Sequence, residues 1–254
     1  MARLCINSYP CRQSKDATLK QIAKWAFTGV LRRFKRKRKT SQQLLNLPFV
    51  DRWLNYRKTQ KNLRANMNNE HRKLEIGPGR NRIPGFETVN IVNGPQVDYV
   101  CDASKPLPFS DNTFELIYAS HILEHIPWYE TEAILQEWVR ILKPTGALEV
   151  WVPDGFKICQ VLVDISQGID NTNYLDGWLV CNPNEDPFLW VAGRLFYGAK
   201  DNYPSWHKAI FSAESLRRLF KRVGLEHVRE MGANEYRGEY DHGGINLGIK
   251  GSKP

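Results

Sequence analysis

Short apolar runs that alternate with polar residues and stop at glycine, proline or asparagine recur along the second half of this chain. They predict strands, because successive side chains of a strand point to opposite faces of a sheet. We predict the first strand at residues 72–76, where it runs into Gly77-Pro78-Gly79. Further strands are predicted at residues 86–92, 97–102, 114–120, 147–152, 225–231 and 245–250.

Apolar residues at helical spacing separate some of these strands. Between residues 134 and 142 they form one face of a helix that stops at Pro144 and Gly146. A second helix follows Ser212 and ends at Gly224. Strands that alternate with helices predict an α/β fold with a parallel sheet, and such sheets bind ligands beyond the carboxyl ends of their strands. The residues expected along that edge are Gly77, Asn90, Asp102 and Ser120.

Length and composition are those of a globular protein. The 254 residues are 42% hydrophobic, which is enough for one large α/β domain with an appended arm. No apolar run approaches the roughly 18 residues of a membrane helix, and no secretory pattern opens the chain. The five cysteines are scattered and include no Cys-x-x-Cys pair. We therefore expect a cytoplasmic protein with reduced thiols.

Charge divides the chain unevenly. Residues 1–73 hold 19 basic and 3 acidic residues, for a net charge of +16, whereas residues 74–254 carry −7. We predict a basic helical arm and lead-in at residues 1–70, followed by an α/β domain at residues 71–254. Within that domain, residues 156–206 are rich in aromatic residues and are predicted to form an insertion beside the substrate pocket.

The sequence of the basic arm is compatible with three interpretations. Residues 20–39 combine apolar positions at near-helical spacing with a polybasic run. This composition suits an anionic membrane surface, which would make the protein peripheral at the membrane, and it suits an RNA backbone equally well. A solvated charge run on a helix that packs against the domain is the third interpretation.

The glycine loop does not match a dinucleotide-binding fingerprint. That fingerprint requires Gly-x-Gly-x-x-Gly at the start of a helix. Here Arg82 stands at the third glycine position, and Pro84-Gly85 follows. A dehydrogenase is therefore excluded.

Several blocks occur in an order typical of one enzyme family. They are Leu74-Glu75-Ile76-Gly77-Pro78-Gly79, Val100-Cys101-Asp102-Ala103, residues 107–115, residues 120–126 and Leu142-Lys143-Pro144-Thr145-Gly146. The chain resembles a class I S-adenosylmethionine-dependent methyltransferase of the small bacterial type. The resemblance implies a Rossmann-like, mostly parallel seven-stranded sheet with an antiparallel last hairpin and helices on both faces.

The resemblance also implies a cofactor site for S-adenosylmethionine. Glu75 and the backbone of Gly77-Pro78-Gly79 would hold the methionine end, and Asp102 with Ala103 would hold the adenine. Asn90, followed by Ile91, stands where the family usually carries an acidic residue for the ribose hydroxyls. An amide loses the charge-assisted hydrogen bond but still donates and accepts. The residues expected around the cofactor are thus Glu75, Gly77, Pro78, Gly79, Asn90, Ile91, Asp102, Ala103, Ser120 and His121.

Histidines follow the fourth predicted strand, where the methyl group should lie. Methyl transfer is an in-line displacement that needs positioning, and a base where the acceptor carries a proton. The candidate catalytic residues are His121, His125 and His207, with Glu124 beside them. We expect the acceptor to be a hydroxyl, less favourably an amine, of a small molecule or glycan precursor. An RNA methyltransferase and a non-catalytic methyltransferase-like module are the alternatives.

A metal is not expected at this segment, but two patterns keep it as an alternative. Residues 121–125 fit the H-x-x-E-H spacing of zinc peptidases, although they directly follow a strand of the methyltransferase-like series. Some RNA 3′-terminal and ubiquinone-pathway O-methyltransferases carry a similar Glu-x-x-Glu-His segment that binds a divalent metal. The alternative ligands are Glu124 and His125, with His121 or His207. The aromatic residues that either stack on an acceptor or pack internally are Trp178, Trp190, Tyr197, Tyr203 and Trp206.

Overall fold

The computed structural model describes residues 48–169, 186–196, 205–238 and 243–254. The arm at residues 20–39, most of the predicted lead-in, and Trp178, Tyr197 and Tyr203 lie outside these ranges. Contacts divide the chain into the units Met1–Leu54 and Asn55–Pro254, and the second unit contains the whole sheet. Among the described residues, no helix is long and apolar enough to cross a membrane.

The sheet has seven strands in the order β3-β2-β1-β4-β5-β7-β6. Strands β1 to β5 pair in parallel, whereas β7 is antiparallel to both β5 and β6. This is the Rossmann-like arrangement with an antiparallel last hairpin that the sequence predicts. The strands are β1 (Lys73–Ile76), β2 (Glu87–Asn90), β3 (Tyr99–Val100), β4 (Phe114–Ser120), β5 (Leu142–Pro153), β6 (Glu226–Met231) and β7 (Asn246–Ser252).

Helices surround the sheet and bury its apolar side chains. Buried residues of β1, β4 and β5 form one cluster with Leu135 and Trp138 from the helix before β5 and with Leu216 and Phe220 from the helix before β6. The helix that carries Leu216 begins after Ser212, whose side chain accepts from the N–H of Ser215, as the sequence predicts. The helices are α1 (Pro48–Ala65), α2 (Thr131–Ile141), α3 (Gly155–Ser166), α4 (Pro187–Leu195) and α5 (Ala213–Arg222), with 3₁₀ turns at Leu123–His125, Ala233–Glu235 and Gly243–Ile245.

Strand β2 is shorter than the alternation predicts. It ends at Asn90, and the next two residues, Ile91 and Val92, are 60% and 68% exposed. The chain turns there because the N–H of Val92 donates to Asn90 Oδ1. The neighbouring strand β3 also pairs for only two residues, so β3 does not extend the pairing of β2 beyond Asn90.

Candidate functional site

The carboxyl ends of four parallel strands place the predicted site residues along one edge of the sheet. Ile76 pairs with both Val89 and Ala119, and Asn90 pairs with Val100. The residues that follow these positions therefore lie side by side. They are Gly77 after β1, Asn90 at the end of β2, Asp102 after β3 and Ser120 at the end of β4.

Gly77 has a backbone conformation that favours glycine. Its φ is +73°, and its N–H donates to the carbonyl of Val89 at 2.9 Å. A β-carbon at this position would lie 2.0 Å from Cδ1 of Ile122. Glycine is thus required both by the left-handed turn and by the approach of a side chain from the segment after β4.

The buried side chain of Glu75 accepts a hydrogen bond from the loop that follows β1. The side chain is 5% exposed, and its Oε2 accepts from the N–H of Ile83 at 3.0 Å. Burial raises the pKa of this carboxyl, although the Ile83 N–H and the charge of Arg82 act in the opposite direction. The other oxygen, Oε1, has no hydrogen bond within the described part of the chain, so it can accept one from a ligand.

Two residues that sequence reasoning did not assign to the site complete the loop. Gln96 Nε2 donates to the carbonyl of Gly79 at 2.9 Å. Arg82, which breaks the dinucleotide fingerprint, pairs with Asp98 at 2.7 Å. The structure describes the whole stretch between β1 and β2, and it contains no helix. The side chains of Gln96 and Arg82 stabilise the loop that connects the two strands.

Asn90 is occupied by weak local contacts. Its Nδ2 lies 3.5 Å from the carbonyl of Pro78, and its Oδ1 accepts from Val92 N–H at 3.3 Å. Both distances are at the long end for hydrogen bonds, so hydroxyl groups of a ligand can displace them at low cost.

Hydrogen bonds stabilise the turn at Asp102 and Ala103 after β3. Asp102 Oδ1 accepts from both the N–H and the hydroxyl of Ser104, at 2.9 and 2.7 Å. Its Oδ2 has no hydrogen-bond partner among the described residues. The carbonyl of Ala103 accepts from Trp138 Nε1 at 3.2 Å. One carboxylate oxygen is thereby left to accept a donor from outside the chain.

Ser120 contacts a tyrosine that is distant from it in the sequence. Its Oγ lies 3.1 Å from the hydroxyl of Tyr236, whose ring packs edge-on against Trp151. The sequence offers no local signal for this contact, because Tyr236 belongs to the connection between β6 and β7.

His121 begins the histidine-containing segment in a strained conformation. Its φ is +54°, and its N–H donates to the carbonyl of Trp151 at 2.9 Å. The unusual backbone turns the chain from β4 into the 3₁₀ turn Leu123–His125. His121 Nδ1 then lies 3.2 Å from Glu124 Oε1.

Glu124 is the centre of a buried cluster. It is 1% exposed; burial favours its neutral form, but the hydrogen bond from His121 and the charges of His121 and His125 outweigh this and lower the pKa. His207 Nε2 lies 4.0 Å from Glu124 Oε1, and burial lowers the pKa of His207. The rings of His125 and His207 meet edge to face, with centroids 4.9 Å apart. The three predicted catalytic histidines are therefore together around one carboxylate.

Hydrogen bonds to backbone carbonyls join the segment that carries Glu124 and His125 to the segment that carries His207. The carbonyl of Glu124 accepts from the N–H groups of Lys208 and Ala209, at 2.7 and 3.1 Å. Lys208 Nζ donates to the carbonyl of His125 at 3.1 Å. Among the predicted stacking residues that the structure describes, Trp190 is buried and packs in the α3–α4 cluster, whereas Trp206 is partly exposed next to His207.

One comparison with known proteins matches a part of the chain that contributes to this edge of the sheet. A family model described as "Methyltransferase domain" matches residues 80–150. That range carries the ends of β2, β3 and β4 and the segment from His121 to His125. Residues 80–150 are thus similar to a methyltransferase domain, the class of domain that the sequence motifs predict. S-adenosylmethionine is the methyl donor that this similarity implies.

One curated relative of the methyltransferase domain is a demethylmenaquinone methyltransferase of Bacillus pumilus (strain SAFR-032), 26% identical over 159 residues. The match spans 61% of this chain and 56% of that protein, so the chain covers about half the length of its relative.

Similar solved structures include a SAM-dependent methyltransferase from Thermotoga maritima, 20% identical, with a TM-score of 0.42 over 80% of this chain and 94% of that one. Another is a Haemonchus contortus phosphoethanolamine N-methyltransferase with phosphomonomethylethanolamine and S-adenosylhomocysteine. It is 13% identical, with a TM-score of 0.43 over 77% of this chain and 52% of that one. Likenesses at this level support no conclusion about the acceptor.

The residues of the edge fit the cofactor that the family implies. Gly77 has the left-handed backbone conformation of a tight loop, and single carboxylate oxygens of Glu75 and Asp102 have no hydrogen-bond partner among the described residues. Asn90 offers an amide held only by long contacts. An amino group, an adenine amine and ribose hydroxyls are the donors that such a set accepts.

Proposed function

We propose that this protein transfers a methyl group from S-adenosylmethionine to a hydroxyl of a small molecule or glycan precursor. The observation that supports this most is the position of Ile122. This residue lies between His121 and the buried Glu124, and its side chain packs on Gly77. The histidine cluster therefore adjoins the loop that we expect to hold the methionine end of the cofactor.

The cofactor would be held by one polar contact from each strand end. Glu75 Oε1 would accept from the methionine amino group, Asn90 would bind ribose hydroxyls, and Asp102 Oδ2 would accept from the adenine amine. Ile91, exposed beyond β2, offers an apolar contact to the adenine ring. Ala103, Ser120 and His121 would line the remaining walls.

A hydroxyl acceptor fits the groups next to the methyl position. The sulfonium cofactor supplies an electrophilic methyl group, and a hydroxyl must lose a proton as it attacks. One of the imidazoles of His121, His125 and His207 would take this proton. Glu124 Oε1 lies 3.2 Å from His121 Nδ1 and 4.0 Å from His207 Nε2, whereas His125 Nδ1 lies 3.3 Å from the carbonyl of Trp206. An amine attacks through the lone pair of its free form, so the proton of its ammonium form has to leave before the attack rather than during it.

The test is methyl transfer by the purified full chain to a panel of sugars, glycan precursors, phenols and amines, followed as S-adenosylhomocysteine release. Transfer to hydroxyl acceptors that falls in a His121→Ala variant supports the proposal. Transfer to amines alone would overturn the acceptor class. Cofactor binding by calorimetry with no turnover across the panel would favour a non-catalytic binding module.

An RNA acceptor is the second candidate, and the charge of the arm favours it. The polybasic run at residues 32–39 lies in the segment of net charge +16, outside the described residues. RNA binding through this run would weaken steeply as salt rises, because bound cations are released from the phosphates. Replacing Arg36, Lys37, Arg38 and Lys39 by glutamine should flatten that salt dependence; unchanged RNA affinity would exclude this role. Binding of the same run to vesicles with anionic lipid, rather than to RNA, would indicate peripheral membrane association.

A further inference from the structure

The carboxylate of Glu124 is the least satisfied buried charge at the site. Its Oε1 faces His121 Nδ1 at 3.2 Å and His207 Nε2 at 4.0 Å. Its Oε2 is buried and has no hydrogen-bond partner among the described residues. Leaving a buried carboxylate oxygen without a partner costs about 1–3 kcal/mol or more. A positive ligand in contact with this carboxylate would remove that cost.

Two imidazoles converge on the same carboxylate from different parts of the chain. Ligand atoms of Glu124, His125 and His207 all lie within 4.8 Å of one another. Each histidine is also held through a backbone group: His125 Nδ1 lies 3.3 Å from the carbonyl of Trp206, and the His207 ring hydrogen-bonds the backbone of Arg194. Imidazoles that bind metals are typically held in this way, with one nitrogen on a backbone carbonyl and the other free to coordinate.

The framework around these three side chains is rigid before any ligand arrives. The carbonyl of Glu124 accepts two N–H groups from the segment that follows His207, and the carbonyl of His125 accepts from Lys208 Nζ. A site whose ligands are already held at nearly the correct separation loses little conformational entropy on binding.

We propose that Glu124, His125 and His207 bind one divalent transition-metal ion. One carboxylate and two imidazoles suit Zn²⁺ and its neighbours, whereas Mg²⁺ and Ca²⁺ prefer oxygen ligands. Ligand atoms about 2.0–2.1 Å from zinc stand roughly 3.3 Å apart in tetrahedral geometry. The 4.0 Å between His207 Nε2 and Glu124 Oε1 therefore has to shorten by less than about 1 Å, and no separation among the three ligand atoms has to shorten by more than about 1.5 Å.

The histidine side of the site is not fully closed to solvent. Glu124 is fully buried, but His125 and His207 are only partly buried, so the ion would face solvent on the histidine side. Three protein ligands with one open position are the arrangement of zinc sites that polarise water or substrate. This role goes beyond methyl transfer, because it assigns an ion to His125 and His207 and leaves His121 as the candidate base.

The test is metal binding by the full chain without cofactor or acceptor, so its outcome does not depend on methyl transfer. The chain is treated with a chelator, dialysed, and titrated with Zn²⁺ and separately with Mg²⁺ by calorimetry. One Zn²⁺ per chain, with Mg²⁺ binding weaker by about tenfold or more, is expected. Co²⁺ should give the visible absorption bands of a four-coordinate site.

Variants decide whether these three residues are the ligands. His125→Asn and His207→Asn should each weaken Zn²⁺ binding by about 100-fold or more, and Glu124→Gln should do the same. The control is His71→Asn, because the His71 side chain is 85% exposed and pairs with surface Glu115, away from the cluster. If Glu124→Gln fails to fold, the two histidine variants carry the test. Zn²⁺ binding that is absent, or equal in the wild type and both histidine variants, would overturn the proposal.

Discussion

The side chain of Ile122 fills the space that a β-carbon on Gly77 would occupy, with Cδ1 only 2.0 Å from that position. The glycine follows β1, and the isoleucine follows β4. Their contact joins the cofactor loop to the segment that carries His121, Glu124 and His125. The loop therefore needs glycine for packing as well as for its backbone angle.

Gly77→Ala should destabilise the domain and weaken cofactor binding. The new methyl group meets Ile122 in a backbone conformation that already disfavours alanine, so we expect a loss of about 2–4 kcal/mol in the free energy of unfolding. Urea unfolding monitored by tryptophan fluorescence measures this loss.

Gly85→Ala is the matched control, because Gly85 has φ +80° but no atom lies within 4 Å of the place where its β-carbon would stand. It should cost only the backbone term of about 1–2 kcal/mol. Equal losses in the two variants would show that contact with Ile122 is unimportant. Adding Ile122→Ala to Gly77→Ala should recover part of the stability.

Glu75→Gln should stabilise the domain near neutral pH. Burial raises the pKa of Glu75 in the folded state, so its contribution to stability is fully present below the pKa of the unfolded chain. That contribution is lost as the pH rises through the folded pKa. Glutamine keeps an oxygen for the Ile83 N–H and carries no charge. We expect the variant to gain free energy of unfolding relative to the wild type as the pH rises above the ordinary glutamate pKa of about 4.

Urea unfolding of both proteins across this range is the measurement. A difference that does not change with pH would mean that Glu75 is ionised in the folded state as readily as in the unfolded state. Cofactor affinity should fall in the same variant, because the amide cannot form a charge-assisted contact with an amino group.

Asn90 should contribute to cofactor binding through an amide whose contacts are weak in the free protein. Asn90→Ala removes hydrogen bonds worth about 0.5–1.5 kcal/mol, so the affinity for S-adenosylmethionine should fall about 2–10-fold. Asn90→Asp should tighten binding, since a carboxylate accepts charge-assisted bonds from both ribose hydroxyls. Calorimetry of the two variants tests this; weaker binding by Asn90→Asp would indicate that the amide contact with Pro78 is essential.

Asp102→Ala should weaken cofactor binding about 10–100-fold, because a hydrogen bond to a charged group is worth about 1.5–3 kcal/mol. The same carboxylate also holds the turn through Ser104. Ser104→Ala is therefore the control, since it removes the hydroxyl contact and leaves Oδ2 unchanged. Comparable losses of affinity in both variants would assign Asp102 to the turn alone.

Much of the cofactor edge followed from local sequence. Apolar alternation that stops at Gly77 and Ser120 marks strand ends, and parallel pairing then brings those ends together. The contacts that complete the loop were not predictable in this way. Gln96 precedes the predicted third strand and Asp98 lies within it, and their bonds to Gly79 and Arg82 depend on how the chain returns between strands.

The sequence by itself determined the order of the strands, the helices before β5 and β6, the glycine turn after β1, and the residue types at each strand end, because these depend on patterns within a few residues. Only the tertiary structure decided that Ile122 packs on Gly77, that Tyr236 reaches Ser120, and that His207 joins Glu124 and His125. Each of these contacts joins residues distant in the chain. Such contacts arise from the burial of the whole core, which no local pattern encodes.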